Sequence, residues 1–194
     1  MGYPLRRYLP GVTYEITVRT QQGRFLLRPS EPVRDAILGV IGRAQALYPS
    51  VHLHSFIYLS NHFHMLATCG DGEEFAQFLQ YINSNVAKRV GALHQWEGKF
   101  WKIHSEVIPV LDDEAVIDRF KYVLRNCVKE GLVASPRDWP GATSVHGLLG
   151  NMEIPTTWID LDERRRDRAR KIKRHRSEYQ YTIVLSPLPV WADL

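Results

Sequence analysis

The stretch Val51-His52-Leu53-His54-Ser55-Phe56-Ile57-Tyr58-Leu59-Ser60-Asn61-His62-Phe63-His64-Met65-Leu66-Ala67-Thr68 decides the fold. Two runs rich in β-branched and aromatic residues flank a short polar turn at Ser60-Asn61, which predicts a β-hairpin with strands over 51–58 and 62–68. A helix is expected on either side of it. Upstream, Ser30 and Pro32 mark a helix start, and Val33, Ile37, Val40, Ile41, Ala44 and Leu47 recur at helical spacing until Pro49. Downstream, Gly70 and Gly72 separate the hairpin from a long helix over about 73–93. Its apolar stripe is Phe75, Phe78, Leu79, Ile82, Val86, Val90 and Leu93.

Farther out, residues 12–19 alternate as a strand. Gln21-Gln22-Gly23 is a turn, with 24–27 a candidate continuation of that hairpin. After a basic, aromatic loop over 94–102 comes a short strand at 106–110. Asp112-Asp113-Glu114 then place acids at the start of another helix, whose buried side is Val116, Phe120, Val123, Leu124 and Cys127 and which Gly131 ends. Residues 145–149 form a short element, and 179–184 read as an edge strand or an ordered arm. Strand, helix, strand, strand, helix, strand predicts a ferredoxin-like α+β fold, an antiparallel sheet with helices on one face. It would occupy residues 1–150 and be followed by a basic C-terminal extension over 151–194.

Composition narrows the function classes. A hydrophobic fraction of 44% and a charged fraction of 24% exclude wholesale disorder. No apolar run nears the roughly 18 residues of a membrane span, and no apolar segment follows Arg6-Arg7, so neither a membrane anchor nor a signal peptide is expected. The expected location is cytoplasmic and nucleoid-associated. Cys69 and Cys127 are too few for a disulfide framework or a zinc cluster. No glycine-rich phosphate loop follows a strand, which argues against a nucleotide-cofactor enzyme. The net charge of +4 is local: residues 160–176 carry nine Lys/Arg, among them Arg164, Arg165 and Arg166, against four acids. That block nets +5 and is expected to be helical. It reads equally as a phosphate-backbone footprint or as a solvated helix.

The sharpest feature is His62-Phe63-His64. Strand alternation puts both imidazoles on one face with Phe63 on the other, a spacing that can ligate one divalent metal. A metal so held can polarise a scissile phosphate, the HUH arrangement on a ferredoxin-like sheet. His52-Leu53-His54 repeats the spacing and reads as ordinary strand residues.

Four ordered segments resemble the IS200-like transposases, in particular the REP-associated tyrosine transposase branch. Tyr14 to Arg19 resembles the family's first strand, which ends in Thr-x-Arg. Phe56 to Leu66 resembles its Asn-His-x-His-hydrophobic signature. Trp96-Glu97-Gly98-Lys99-Phe100 resembles a Trp-x-Gly-Arg-aromatic loop, with Lys99 in place of arginine. Tyr122 to Val133 resembles the Tyr-Ile-x-x-Asn-Pro-Val-x-Ala-Gly helix end, and Asp138-Trp139-Pro140 and Ser144 follow in order. The resemblance covers about residues 8–149.

It implies a nickase and strand-transferase acting on single-stranded or hairpin DNA. A helix tyrosine would form a 5′-phosphotyrosine link, and Mg²⁺ or Mn²⁺ would be held by His62, His64 and a polar residue of the tyrosine helix. Counting forward from the histidines places the family's tyrosine near Val86, which belongs to the apolar stripe. Tyr81 is the only tyrosine on that helix, roughly 120° from Phe75, and Asn85 lies about 80° away on the same side. Tyr81 is therefore the expected nucleophile and Asn85 the expected third ligand, while Tyr122 reads as structural. Arg19, Trp96, Lys99, Trp101 and Lys102 are expected DNA contacts together with the basic block; the two tryptophans read equally as core. A homodimer is left open. The alternative is a domesticated, catalytically inactive relative that grips single-stranded or hairpin DNA without cutting it. An RNA-binding module ranks last, because the glycine-aromatic pattern of RRM strands is missing.

Overall fold

The computed structural model describes residues 7–102, 105–169 and 177–191. Its centre is a four-stranded antiparallel sheet of β1 (Thr13–Arg19), β2 (Val51–Tyr58), β3 (His62–Cys69) and β4 (Glu106–Val110), in the order β2-β3-β1-β4. This is the expected ferredoxin-like plan. Helix α1 (Glu31–Leu47) joins β1 to β2, and α2 (Gly72–Leu93) joins β3 to β4. The Ser30 side chain accepts from the Val33 amide and caps α1, and Asp71 caps α2 through the Glu73 and Glu74 amides.

Alternation along β3 divides the sheet into two unlike faces. Phe63, Met65, Ala67 and Cys69 point to one side, where Ile16, Val18 and the stripes of α1 and α2 close the main core. Phe75, Phe78, Ile82, Val86 and Val90 are at most 1% exposed there. Burying a side chain of that size contributes about 1.5–3 kcal/mol. His62, His64, Leu66 and Thr68 point the other way. That face is covered by a third helix, α3 (Asp113–Lys129), so helices lie on both sides of the sheet rather than one. The cause is local: Ile57 and Leu59 also face that way and need cover, which Val123, Cys127 and Trp139 supply.

Residues 24–27 do not extend a hairpin. Leu26 and Leu27 turn into the core instead, and the Leu27 amide donates to the Ser60 carbonyl. A short helix α4 (Val145–Leu149) follows the turn-rich connection. Beyond Gly150, β5 (Glu153–Ile159) and β6 (Glu178–Val184) pair as a second, two-stranded sheet packed on α1. Trp158 and Ile183 join the main core. The close approach needs glycine: a Cβ on Gly39 would collide with the Thr157 carbonyl, and one on Gly42 with Thr156 and Tyr181. The basic block is helical in α5 (Leu161–Ala169), and residues 170–176 lie outside the described residues. No helix among the described residues is long and apolar enough to cross a membrane.

Candidate active site

The site is built on the polar face of β3. In the register of β1 with β3, Thr17 stands opposite His64 and Arg19 opposite His62, so all four share that face. His62 and His64 are 8% and 4% exposed, with ring centroids 5.0 Å apart.

In each ring Nδ1 is the nitrogen engaged by a neighbouring side chain. Asn61 Nδ2 donates to the Gly23 carbonyl at 3.3 Å, which turns Oδ1 toward His62. Oδ1 can only accept, so His62 Nδ1 donates to it at 2.7 Å, leaving the Nε2 lone pair open. His64 Nδ1 lies 2.9 Å from Thr17 Oγ1, and its Nε2 is buried without a partner among the described residues. Burial, the neighbouring imidazole and the cations Arg19, Lys129 and Arg119 push the His64 pKa down to about 3. His64 is thus neutral at pH 7, and the 3.7 Å approach of Glu15 to its Nδ1 is not an ion pair. Glu15 instead pairs with Arg119 of α3 at 3.4 Å. Burial also lowers the His62 pKa, helped by Arg19 and opposed by Glu130. Two neutral imidazoles whose Nε2 atoms take no hydrogen bond among the described residues are in the protonation state that metal ligands require.

The helix over them carries the remaining groups. Tyr122 of α3 sets its ring 5.2 Å from that of His64, nearly perpendicular, and the Lys129 ammonium lies 4.7 Å from the Tyr122 ring centre. One turn along, Asn126 is 1% exposed, and both its Oδ1 and its Nδ2 are buried without partners among the described residues. A buried polar group left unpaired costs about 1–3 kcal/mol, so such groups on one helix and the strand beneath it favour taking up a bound partner, water or ligand. A cation within reach of His64 Nε2 and Asn126 Oδ1 would give each of those two atoms a partner. Among the described residues, no group of three His, Cys, Asp or Glu is placed to hold a metal, so this candidate set needs the amide.

The structure does not bring Tyr81 and Asn85 to the histidines. Helix α2 packs on the opposite, apolar face of the sheet, so nothing on it reaches the His62/His64 side. Val86 is fully buried in that core. The Tyr81 ring lies 6.1 Å from both Tyr48 and Trp158, and Asn85 Nδ2 donates back to the Tyr81 carbonyl. Both line a separate cavity of about 200 Å³ with Arg43, Arg89 and Trp158, where α2 meets the second sheet. Burial raises the Tyr81 pKa, the opposite of activation.

The expected DNA contacts divide. Arg19 and Lys102 are exposed beside His62, and the Lys102 amide donates to the Arg19 carbonyl. Trp101 is a packing residue: its ring meets Phe63 and Phe100 on the apolar side, and Nε1 donates to the Asn83 carbonyl. Trp96 is half-buried beneath the Arg24 guanidinium, and Lys99 is exposed. Arg165 and Arg166 are exposed and Arg164 is half-buried. All three lie on α5, which is tied to α2 by an ion pair of Lys88 with Asp162. His54 has no ligand role; it is buried and bonded to Thr68 Oγ1 and the Ser186 carbonyl.

The neutral histidines make stability sensitive to acid. The unfolded chain takes up protons near pH 6.5, whereas the folded His54, His62 and His64 resist protonation to lower pH. Stability should be full above about pH 6.5 and fall toward pH 3, by about 1.4 kcal/mol per pH unit per histidine while that histidine stays neutral in the fold. Glu15, raised by burial, works the other way. Urea unfolding of wild type and His64→Gln between about pH 7 and pH 4 isolates the His64 share. The variant should lose less stability; parallel curves would contradict the assignment.

No protein-family profile matches the chain. A REP-associated tyrosine transposase of Escherichia coli (strain K12) is 24% identical over 156 residues, spanning 79% of this chain and 88% of the relative. A solved structure of a REP-associated tyrosine transposase bound to a REP hairpin superposes with a TM-score of 0.63 at 20% identity, covering 78% of this chain and 87% of the other. That score establishes a shared fold. In sequence and in fold together, the chain is similar to the REP-associated tyrosine transposases of the IS200-like family.

Proposed function

We propose that this chain binds hairpin DNA as a transposase-like protein, and that it nicks and transfers a single strand using Tyr122 as nucleophile. The observation carrying this reading is the convergence on one sheet face of two neutral histidines, the Tyr122 ring 5.2 Å from His64, and the unpartnered side chain of Asn126. The hairpin as partner is taken from the similar protein, whose structure holds a REP hairpin.

His62, His64 and Asn126 would hold one divalent cation. When bound, it would polarise the scissile phosphate and stabilise the charge that develops on it. Two imidazole nitrogens and one amide oxygen suit Mn²⁺ better than the harder Mg²⁺. Tyr122 Oη attacks phosphorus and gives up its proton to solvent. The bond from phosphorus to the 3′-oxygen breaks, that oxygen leaves as a 3′-hydroxyl after taking a proton from solvent, and a 5′-phosphotyrosine link forms. That link keeps one phosphodiester for another, so rejoining requires no nucleotide triphosphate. Asn61 keeps His62 in the ligating tautomer, and Thr17 would do the same for His64 by accepting from its Nδ1. Arg19 and Lys102 supply positive charge beside His62. Arg164, Arg165 and Arg166, on the helix tied to α2, would touch phosphates remote from the cleaved bond.

The test is incubation of end-labelled hairpin DNA with Mn²⁺ followed by denaturing electrophoresis. The expected product is a protein–DNA adduct that chelator prevents. Hairpin binding without an adduct would contradict cleavage and put the binding-only reading in its place.

A further inference from the structure

Beside His62, at the end of β1 and β3, lies an open cleft of about 370 Å³. Its walls are Arg19, Lys102, Asn61 and the turn Gln21–Gly23, and the described lining residues include no carboxylate. The walls are held from several directions. The Thr20 amide donates to the Asn61 carbonyl, the Gln21 amide to the Phe100 carbonyl, and the Lys102 amide to the Arg19 carbonyl, each at 2.8 Å. Gln22 and Gly23 take successive left-handed conformations, φ 57° and 67°, which fold the turn tightly enough for the Thr20 hydroxyl to donate to the Arg24 carbonyl. Two cations therefore share a preformed concave surface.

The position of the cleft matters as much as its charge. Arg19 starts one strand spacing, about 4.8 Å, from His62. Asn61 belongs to both places: its Oδ1 accepts from His62, and its side chain walls the cleft. A strand whose scissile phosphate rests at the histidines and that leaves along this end of the sheet would meet this wall within about one nucleotide. Arginine offers a planar fork to phosphate oxygens, and lysine adds a point charge.

We propose that this cleft is a phosphate pocket for the internucleotide phosphate next to the one cleaved, with Arg19 and Lys102 as its cations and Asn61 as the wall it shares with the histidine site. The pocket rests on the functional reading above and deepens it. It would fix which bond of the strand lies at Tyr122 by gripping the backbone one step away, without reading a base.

The experiment is a scan of hairpins carrying a single neutral methylphosphonate at successive positions, bound to the full chain. In wild type, one position beside the cleaved bond should weaken binding about tenfold, as expected for loss of a charge-assisted contact. Arg19→Gln/Lys102→Gln should bind the unmodified hairpin about tenfold more weakly. The variant should lose the penalty at that one position and match the wild-type pattern at every other. Its log–log salt slope should fall by about 0.7, the share of one single-strand phosphate. Both side chains are exposed, so thermal stability should not change. A double variant that keeps the positional penalty overturns the pocket, as does a wild-type scan with no such position. If wild type binds no hairpin at all, the functional reading fails first and the pocket with it.

Discussion

Replacing Tyr122 by phenylalanine is expected to remove covalent attachment to hairpin DNA, by about 10³-fold or more, because the variant lacks the attacking oxygen itself. Tyr81→Phe should leave attachment near wild type, since its ring lies across the sheet from the histidines beside Trp158. The pair makes a controlled comparison: each change deletes one hydroxyl from a half-exposed tyrosine on a helix. Hairpin affinity should survive in Tyr122→Phe, which separates loss of chemistry from loss of binding. Denaturing gels and equilibrium binding measured on the same preparations read the two. Adducts formed equally by both variants would contradict the assignment of Tyr122.

The second large effect concerns the metal. A ligand that binds only the folded state at 100 times its Kd adds about 2.7 kcal/mol of stability. For a chain of this size that corresponds to a rise in Tm of roughly 5–10 °C. Saturating Mn²⁺ should produce such a rise in wild type. His62→Ala/His64→Ala should abolish it, and Asn126→Ala should reduce it, each judged against its own metal-free Tm. Asn126→Asp should retain it, because a carboxylate oxygen can replace the amide oxygen as ligand. An undiminished rise in the double histidine variant would place the cation elsewhere.

The hairpin, both helices packed on the apolar face, and the shared face of His62 and His64 could be read directly from the residues. Each depends on local periodicity or on a cap, and local periodicity survives folding. Which tyrosine faces the histidines depends on which helix covers which face, and that is a tertiary property. Tyr81/Asn85 and Tyr122/Asn126 have the same Tyr-x-x-x-Asn spacing. Nearness in sequence favours the first pair, because α2 directly follows the histidine strand. Yet α2 must bury Phe75, Phe78 and Val86 against Phe63 and Met65, and alternation sends the histidines the other way. The available signal was Ile57 and Leu59, apolar residues on the histidine side of the hairpin that require a second cover and find it in Val123 and Cys127. Strand β5 is hidden in the sequence for a different reason. Pro155 interrupts its pattern, and it is a strand only because β6 and the glycine-lined side of α1 receive it.

The central claim is that Tyr122, His62, His64 and Asn126 form one reaction site on the α3 side of the sheet. Mass spectrometry of the peptides released from the Mn²⁺-dependent hairpin adduct tests it most directly. The account predicts a nucleotide attached to the α3 peptide at Tyr122. Attachment at Tyr81, or at any tyrosine away from the His62/His64 face, would contradict it.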